Sequence, residues 1–193
     1  MTPRVEMTDH ELLRAYLYDR DVDSLDAFVR RYQESLVRFA AKFLGDSDAA
    51  QDVVQEAFLR VARHPRRLLK VDSCHNWLLR VVRNVGVDHI RRASRQRKYT
   101  EAAAETVTEA QLSRQERPDA AVEREELEDR VRDEIEQLNP RQRELFHLQV
   151  AEGKSYREIA EITGLSVTNV GYHLHRIMRT LATRLRDHRE ELP

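Results

Sequence analysis

The chain has 193 residues, 35% of them charged, with only five glycines and five prolines; that length fits one domain or two small ones, and Leu, Ala, Arg and Glu in such excess over turn residues point to an all-α protein. One cysteine excludes an internal disulfide framework, no apolar run nears the roughly 18 residues of a membrane helix, and Met1 to Glu11 has no signal-peptide core, so a cytoplasmic protein without membrane insertion is expected. The net charge of −1 hides a segregation into +5 over residues 1–98, −8 over 99–137 and +2 over 138–193, which suggests two mildly basic modules separated by acid that DNA would repel.

Taken in order, the first helix starts at a Thr8-x-x-Glu11 capping box and runs through Leu12, Leu13, Tyr16 and Leu17. After the acidic break Asp19 to Asp23, a long helix carries Leu25, Phe28, Val29, Tyr32, Leu36, Phe39, Ala40 and Phe43 to a stop at Gly45. Asp46 or Ser47 caps the next, expected from Asp48 to about Arg63 and ended by His64-Pro65. Val54, Ala57, Phe58 and Val61 supply its buried side. Asp52, Gln55 and Glu56 lie outward, either as a plain solvated face or as a patch for basic residues of a partner.

Residues 65–73 read as a basic loop. Ser73 then caps a helix with Trp77, Leu78, Val81, Val82, Val85 and Ile90 on one side and Arg80, Arg83, Asn84, Asp88, Arg91 and Arg92 on the other. From Leu78 to Lys98 seven Lys and Arg stand against one acid. Few large apolar residues mark the exposed side, which favours nucleic acid over a membrane surface; a merely soluble basic face is the bland alternative.

Periodicity dissolves from Tyr99, and residues 99–126 read as a flexible acidic linker. It returns with Leu127, Val131, Ile135 and Leu138, which open a second module, residues 127–193. Three helix starts follow: Asn139 with Pro140, the Ser155-x-x-Glu158 capping box, and Ser166, with Gly164 ending the middle helix. This is a helix-turn-helix preceded by a packing helix. On its last helix Val167, Val170, Leu174, Ile177, Leu181 and Leu185 form the expected buried stripe. Thr168, Asn169, Tyr172, His173, Arg176 and Arg179 face away without an acid among them, able to donate to base edges or phosphates.

These residues carry a resemblance. Asp52-Val-Val-Gln-Glu-Ala-Phe58, then Trp77-Leu-Leu-Arg-Val-Val-Arg-Asn84 with Asp88 and Arg91-Arg92, resemble the first conserved domain of bacterial sigma factors. Asn139-Pro-Arg-Gln-Arg143, Gly153-Lys-Ser-Tyr-Arg-Glu-Ile-Ala160 and Gly164-Leu-Ser-Val167 resemble their promoter-reading C-terminal domain. Two domains and a short linker are similar to the extracytoplasmic-function (ECF) group. The resemblance implies a factor that binds core RNA polymerase and promoter DNA, with an anti-sigma partner. Asp52, Gln55, Glu56 and Phe58 would dock on the polymerase. Arg80, Arg83, Asn84, Asp88, Arg91 and Arg92 would meet the −10 element, with the Arg66 to Asp72 loop where the family captures a flipped base. Thr168, Asn169, Tyr172, His173 and Arg176 would read the −35 element. The chain departs from the family at Thr168-Asn-Val-Gly-Tyr-His173, where a Gly-Thr-Val-x-Ser-Arg run is usual, and Gly171 costs about 1 kcal/mol against alanine inside a helix.

No enzyme chemistry is expected, since neither a nucleotide-binding loop nor a catalytic set stands in the sequence, and no cofactor or small-molecule substrate is implied. Cys74-His75 is half a metal site at most, and His173 and His175, two apart, point to different helix faces. The rival is a conventional helix-turn-helix regulator acting without core polymerase; it calls for a dimerisation or ligand domain, whereas residues 1–98 offer a basic helix and a polar docking helix.

Overall fold

A computed structural model describes residues 4–101 and 122–190, and every regular element among them is an α-helix. Most of the linker expected at 99–126 therefore lies outside the described residues. The helix starts obey local chemistry. Thr8 and Glu11 form the reciprocal capping box of α1 (Asp9–Tyr18). Helix α2 (Val22–Leu44) stops at Gly45, whose φ of 71° is the left-handed conformation that glycine adopts without a Cβ penalty. Asp46 caps α3 (Ser47–Arg63), its carboxylate accepting from the N–H groups of Asp48 and Ala49 at 2.9 and 3.1 Å. The expected basic loop begins instead with a helical turn, α4 (Pro65–Leu68), because Pro65 is preset for a first helical position and Leu68 is drawn into the core. Ser73 then caps α5 (Cys74–Glu101).

Helices α1 to α5 enclose one core of Leu12, Leu13, Phe28, Leu36, Phe39, Phe43, Val54, Ala57, Val61, Leu78, Leu79 and Val82, all essentially inaccessible. Asp9 fastens α1 to α2 by accepting from Arg31 at 2.7 Å and from the Tyr32 hydroxyl. Helix α5 crosses α2 closely: a Cβ on Gly86 would stand 2.6 Å from two ring carbons of Phe43. Cys74 is buried, and burial pushes its thiol up to about 12, so it is no thiolate nucleophile or ligand at neutral pH.

The second module comprises α6 (Val122–Glu136), α7 (Pro140–Val150), α8 (Tyr156–Thr163) and α9 (Val167–Glu190). Asn139 and Ser155 both close capping boxes, and α8 ends on Gly164 at φ 75°. Leu145, Leu148, Ile159, Ile162, Val170, Leu174, Ile177 and Leu181 form its core, and Arg184 of α9 reaches Glu134 of α6 at 3.1 Å. Val167, expected in the buried stripe, is half-exposed: at 3.6 residues per turn it lies about 50° round α9 from the mean direction of Val170, Leu174, Ile177 and Leu181. No helix among the described residues is long and apolar enough to cross a membrane.

The two modules are packed together, α2 on α7 and α5 on α8. Several polar side chains meet across the joint. Arg83 Nε donates to Glu144 Oε1 at 2.7 Å, and Asn76 Nδ2 to Glu158 Oε1 at 2.9 Å. His75 stacks on Tyr32 with centroids 5.4 Å apart and holds its Nδ1 3.2 Å from Lys154 Nζ. Burial, then the Lys154 charge, lower His75 to about 4, against the pull of Asp9 and Glu158. It is thus neutral, and its 3.5 Å approach to Glu152 is a polar contact, not an ion pair. His147 is likewise lowered to about 4 by burial and by Lys42 and Arg143. Each histidine therefore faces a lysine of the other module.

Two outcomes follow from this packing. Gly86→Ala should destabilise the fold by about 1–3 kcal/mol, the usual cost of overpacking, read as a lower midpoint in urea unfolding. The joint should also loosen in acid. A histidine lowered from 6.5 binds fewer protons when closed, so its stabilisation is complete above about 6.5 and fades as pH falls towards 4. Glu144 and Glu152, both raised by burial, act in the opposite sense. The radius of gyration from X-ray scattering should increase between pH 7 and 5, and increase less in His75→Gln, His147→Gln protein; a constant radius over that range in the parent would contradict this.

Candidate nucleic-acid interface

Three surfaces carry the residues singled out in the sequence. The first lies along α3. Asp52 and Gln55 are exposed, Glu56 and Phe58 half-buried, and Glu56 already holds Arg60 of its own helix at 3.0 Å. Gln55 and Phe58 also line an open groove of about 790 Å³ between α2 and α3, with Val29, Gln33, Val37, Gln51 and Val54 on its walls. An apolar floor between polar rims is the form in which a helix of a partner is received.

The second is the outer face of α5. Arg80, Asn84, Asp88 and Arg91 follow at four-, four- and three-residue steps and so share one side, with Arg92 beside Asp88; all five are exposed. Asp88 keeps Arg91 at 3.7 Å. Arg83 differs: its side chain is 21% accessible, and its guanidinium is committed to Glu144 of the other module. Next to this face α3, α4 and α5 enclose a cleft of about 350 Å³ lined by Glu56, Arg60, Arg63, His64, Arg67, Trp77, Val81 and Asn84. A cationic cleft with an indole wall suits an unstacked base and its phosphate. Sequence reasoning gave Trp77 to the core, against which it does pack, placed Arg67 in the loop of the flipped base, and left Arg60 and Arg63 without a role. The signal was present: Trp77, Val81 and Asn84 stand at i, i+4 and i+7, along the border between the apolar and polar sides of α5.

The third is α9. Thr168, Asn169, Tyr172 and Arg176 are exposed and His173 half-buried, its ring meeting Tyr172 edge-on with centroids 5.5 Å apart. Arg179 continues the face a turn later, also exposed. Behind it, Val170, Leu174, Ile177 and Leu181 anchor α9 to its module, so the polar face is held outward. Glu158 on α8 is held at about 2 by hydrogen bonds from Asn76 and Ser155, hence ionised throughout the neutral range. Among the described residues no group of three or more His, Cys, Asp or Glu has the arrangement of a metal site.

Comparison with known proteins gives two family matches. Residues 28–96 match the model for Sigma-70 region 2, and residues 128–181 that for Sigma-70, region 4. The chain is similar to the RNA polymerase sigma-H factor of Pseudomonas aeruginosa, 29% identical over 160 residues that cover 81% of this chain and 83% of that protein. It is 31% identical over 164 residues to the probable ECF RNA polymerase sigma factor SigI of Mycobacterium tuberculosis, covering 82% of this chain but only 54% of that relative. In fold it is similar to the sigma factor RpoE in complex with the anti-sigma factor NepR from Bartonella quintana, with a TM-score of 0.63 at 19% identity over 82% of this chain and 94% of that one. CnrH in complex with the cytosolic domain of CnrY gives 0.59 at 22% identity, covering 93% and 99%.

Glu144→Ala should release Arg83. At neutral pH the radius of gyration should rise, and binding of a single-stranded oligonucleotide should gain about one phosphate contact, steepening the logarithmic salt slope by about 0.7. An unchanged slope in the opened variant would mean that Arg83 does not reach the strand.

Proposed function

The chain belongs to the RNA polymerase sigma factors of the sigma-70 family, ECF group, and from that premise we propose that it binds core RNA polymerase and directs it to promoters, reading a −35 and a −10 element and helping to open the strands. Residues 1–98 would form the docking and −10 module, 99–126 the linker and 127–193 the −35 module. The observation that carries this is the pairing, in one chain, of two different open nucleic-acid faces: Asn84, Arg91 and Arg92 on α5, and Thr168, Asn169, Tyr172 and Arg176 on α9.

The division of labour is physical. Gln55 and Phe58 line the α2–α3 groove, and with Asp52 and Glu56 on the same helix they form the face offered to the polymerase. Thr168, Asn169, Tyr172 and His173 occupy the N-terminal half of α9, the part of a recognition helix that lies deepest in a major groove. Arg176 and Arg179, one to two turns on, meet phosphates. Arg80, Asn84, Asp88, Arg91 and Arg92, with the Trp77 cleft beside them, bind displaced bases and single-strand phosphates in preference to duplex. Arg83 joins them once Glu144 lets go. The polymerase supplies the chemistry, so this chain needs no catalytic group, cofactor or metal, and its place of work is the cytoplasm. An anti-sigma factor is the expected regulator, in keeping with the complexes of RpoE with NepR and of CnrH with CnrY.

Reconstitution with core polymerase tests the proposal. The parent should bind core, and Glu56→Arg should weaken that binding roughly tenfold with an unchanged thermal melt, since reversing a contact charge costs a kcal/mol or more. Arg91→Ala, Arg92→Ala protein should bind core normally but lose permanganate reactivity at the melted −10 strand. Binding of promoter duplex without any affinity for core would favour the conventional regulator instead.

A further inference from the structure

We propose that the bay on α9 at Gly171, walled by Tyr156 of α8, receives the 5-methyl group of a thymine in the −35 duplex, which makes Tyr156 a specificity-determining residue. The inference rests on the function proposed above and deepens it at a residue outside the recognition helix.

Tyr156 is the first residue of α8, fixed there by the Ser155–Glu158 capping box. A Cβ built on Gly171 would lie 3.5 and 3.7 Å from two of its ring carbons and meet nothing else within 4 Å. The tyrosine ring therefore lies along the flank of α9 at the level of residue 171, and the space on the other side of that position is open. Tyr156 is 44% accessible, Val167 49% and Tyr172 62%. Val167 stands one turn before Gly171, and Tyr172 beside it has its ring propped edge-on by His173. At 3.6 residues per turn Val167 and Gly171 lie about 40° apart on one edge of α9, with Thr168 next round and Asn169 further on, so Tyr156 and Val167 flank the glycine at the border of the polar face.

Two facts make DNA the occupant. On the α9 side the charge is positive, with Arg176 and Arg179 exposed and no acid from Val167 to Leu185, while Arg157 of α8 is paired with Glu161 at 3.8 Å. In the major groove the thymine methyl is the one apolar group that a base edge offers, and apolar side chains are what recognise it. Packing within the chain does not account for the glycine: a methyl there would make ordinary contact with Tyr156, and alanine would suit a helix interior better. What the missing side chain leaves is room.

The competing role for Tyr156 is a phosphate contact through its hydroxyl, the usual duty of the first helix of such a motif. Deoxyuridine separates the two, since it removes only the methyl. With holoenzyme assembled from the full chain and core polymerase, the preferred −35 sequence is first selected from a library, and each of its thymines is then replaced singly by deoxyuridine. One replacement should weaken promoter binding about fourfold, the worth of one buried methyl. Tyr156→Ala, which removes the wall, and Gly171→Ala, which fills the bay, should each bring that ratio towards one, while Tyr156→Phe retains it. The proposal is overturned if no thymine responds, if the ratio persists in Tyr156→Ala, or if Tyr156→Phe alone abolishes promoter affinity. It also falls if both alanine variants weaken only core binding, which would make the patch a protein contact. Core binding and permanganate footprints on the same samples report separately on the underlying function.

Discussion

Arg83 of α5, on the helix proposed to meet the −10 strand, is tied to Glu144 of the opposite module at 2.7 Å, and this pair links the two modules. Glu144 is 5% accessible as a side chain, and burial raises its pKa even though Arg83 and Arg141 work to lower it. The pair therefore carries a desolvation cost close to its Coulombic gain, as buried ion pairs commonly do. Around it the joint is imperfectly satisfied. Asn76 Oδ1, Arg143 Nε, His147 Nε2 and Gln149 Oε1, all on α5 or α7, are buried without a hydrogen-bond partner among the described residues, and His75 Nε2 has only its 3.5 Å contact with Glu152. Each such group costs about 1–3 kcal/mol. A joint of this kind holds two modules in register without welding them.

Closure is selective in what it covers. The α2–α3 groove, the outer row of α5 and the polar face of α9 all remain open, while the joint takes up the flank of α5 bearing His75, Asn76 and Arg83 and the part of α2 against α7. One of those three belongs to the set proposed to meet DNA. Under the proposed function the second module competes with the −10 strand for a single cation, and it does so with a carboxylate, the same kind of acceptor charge that a phosphate offers.

The chemistry of the three faces follows from what each holds away from water. Helix α9 sinks four aliphatic side chains into its module and so turns its polar face outward. Helix α5 runs against α2 so closely that position 86 admits no side chain, which fixes the rotation of Asn84, Asp88 and Arg91 about the helix axis. The Glu56–Arg60 pair on α3 tempers an otherwise acidic patch, so docking there has to displace or share an existing partner.

Much of this was written in the sequence, because caps and periodicity are local. Thr8-x-x-Glu11, Asn139-Pro140 and Ser155-x-x-Glu158 fix helix starts through bonds three residues long, and the apolar spacing of α2, α5 and α9 fixes which side is buried. The candidate faces on α5 and α9 were legible for the same reason. Tertiary structure decided everything that depends on a neighbour distant in the chain. Arg83 looked like one more member of a basic row until Glu144, 61 positions away, claimed it. His75 was weighed only as half a metal site and His147 not at all, until packing buried both opposite lysines, which lowers their pKa. Tyr156 drew notice only as part of a motif until it lay beside Gly171, and Trp77 became a cleft wall as well as a core residue once α3 and α4 stood next to it. A sequence records which groups a helix presents; which of them are already answered by another part of the chain is settled only when the helices pack.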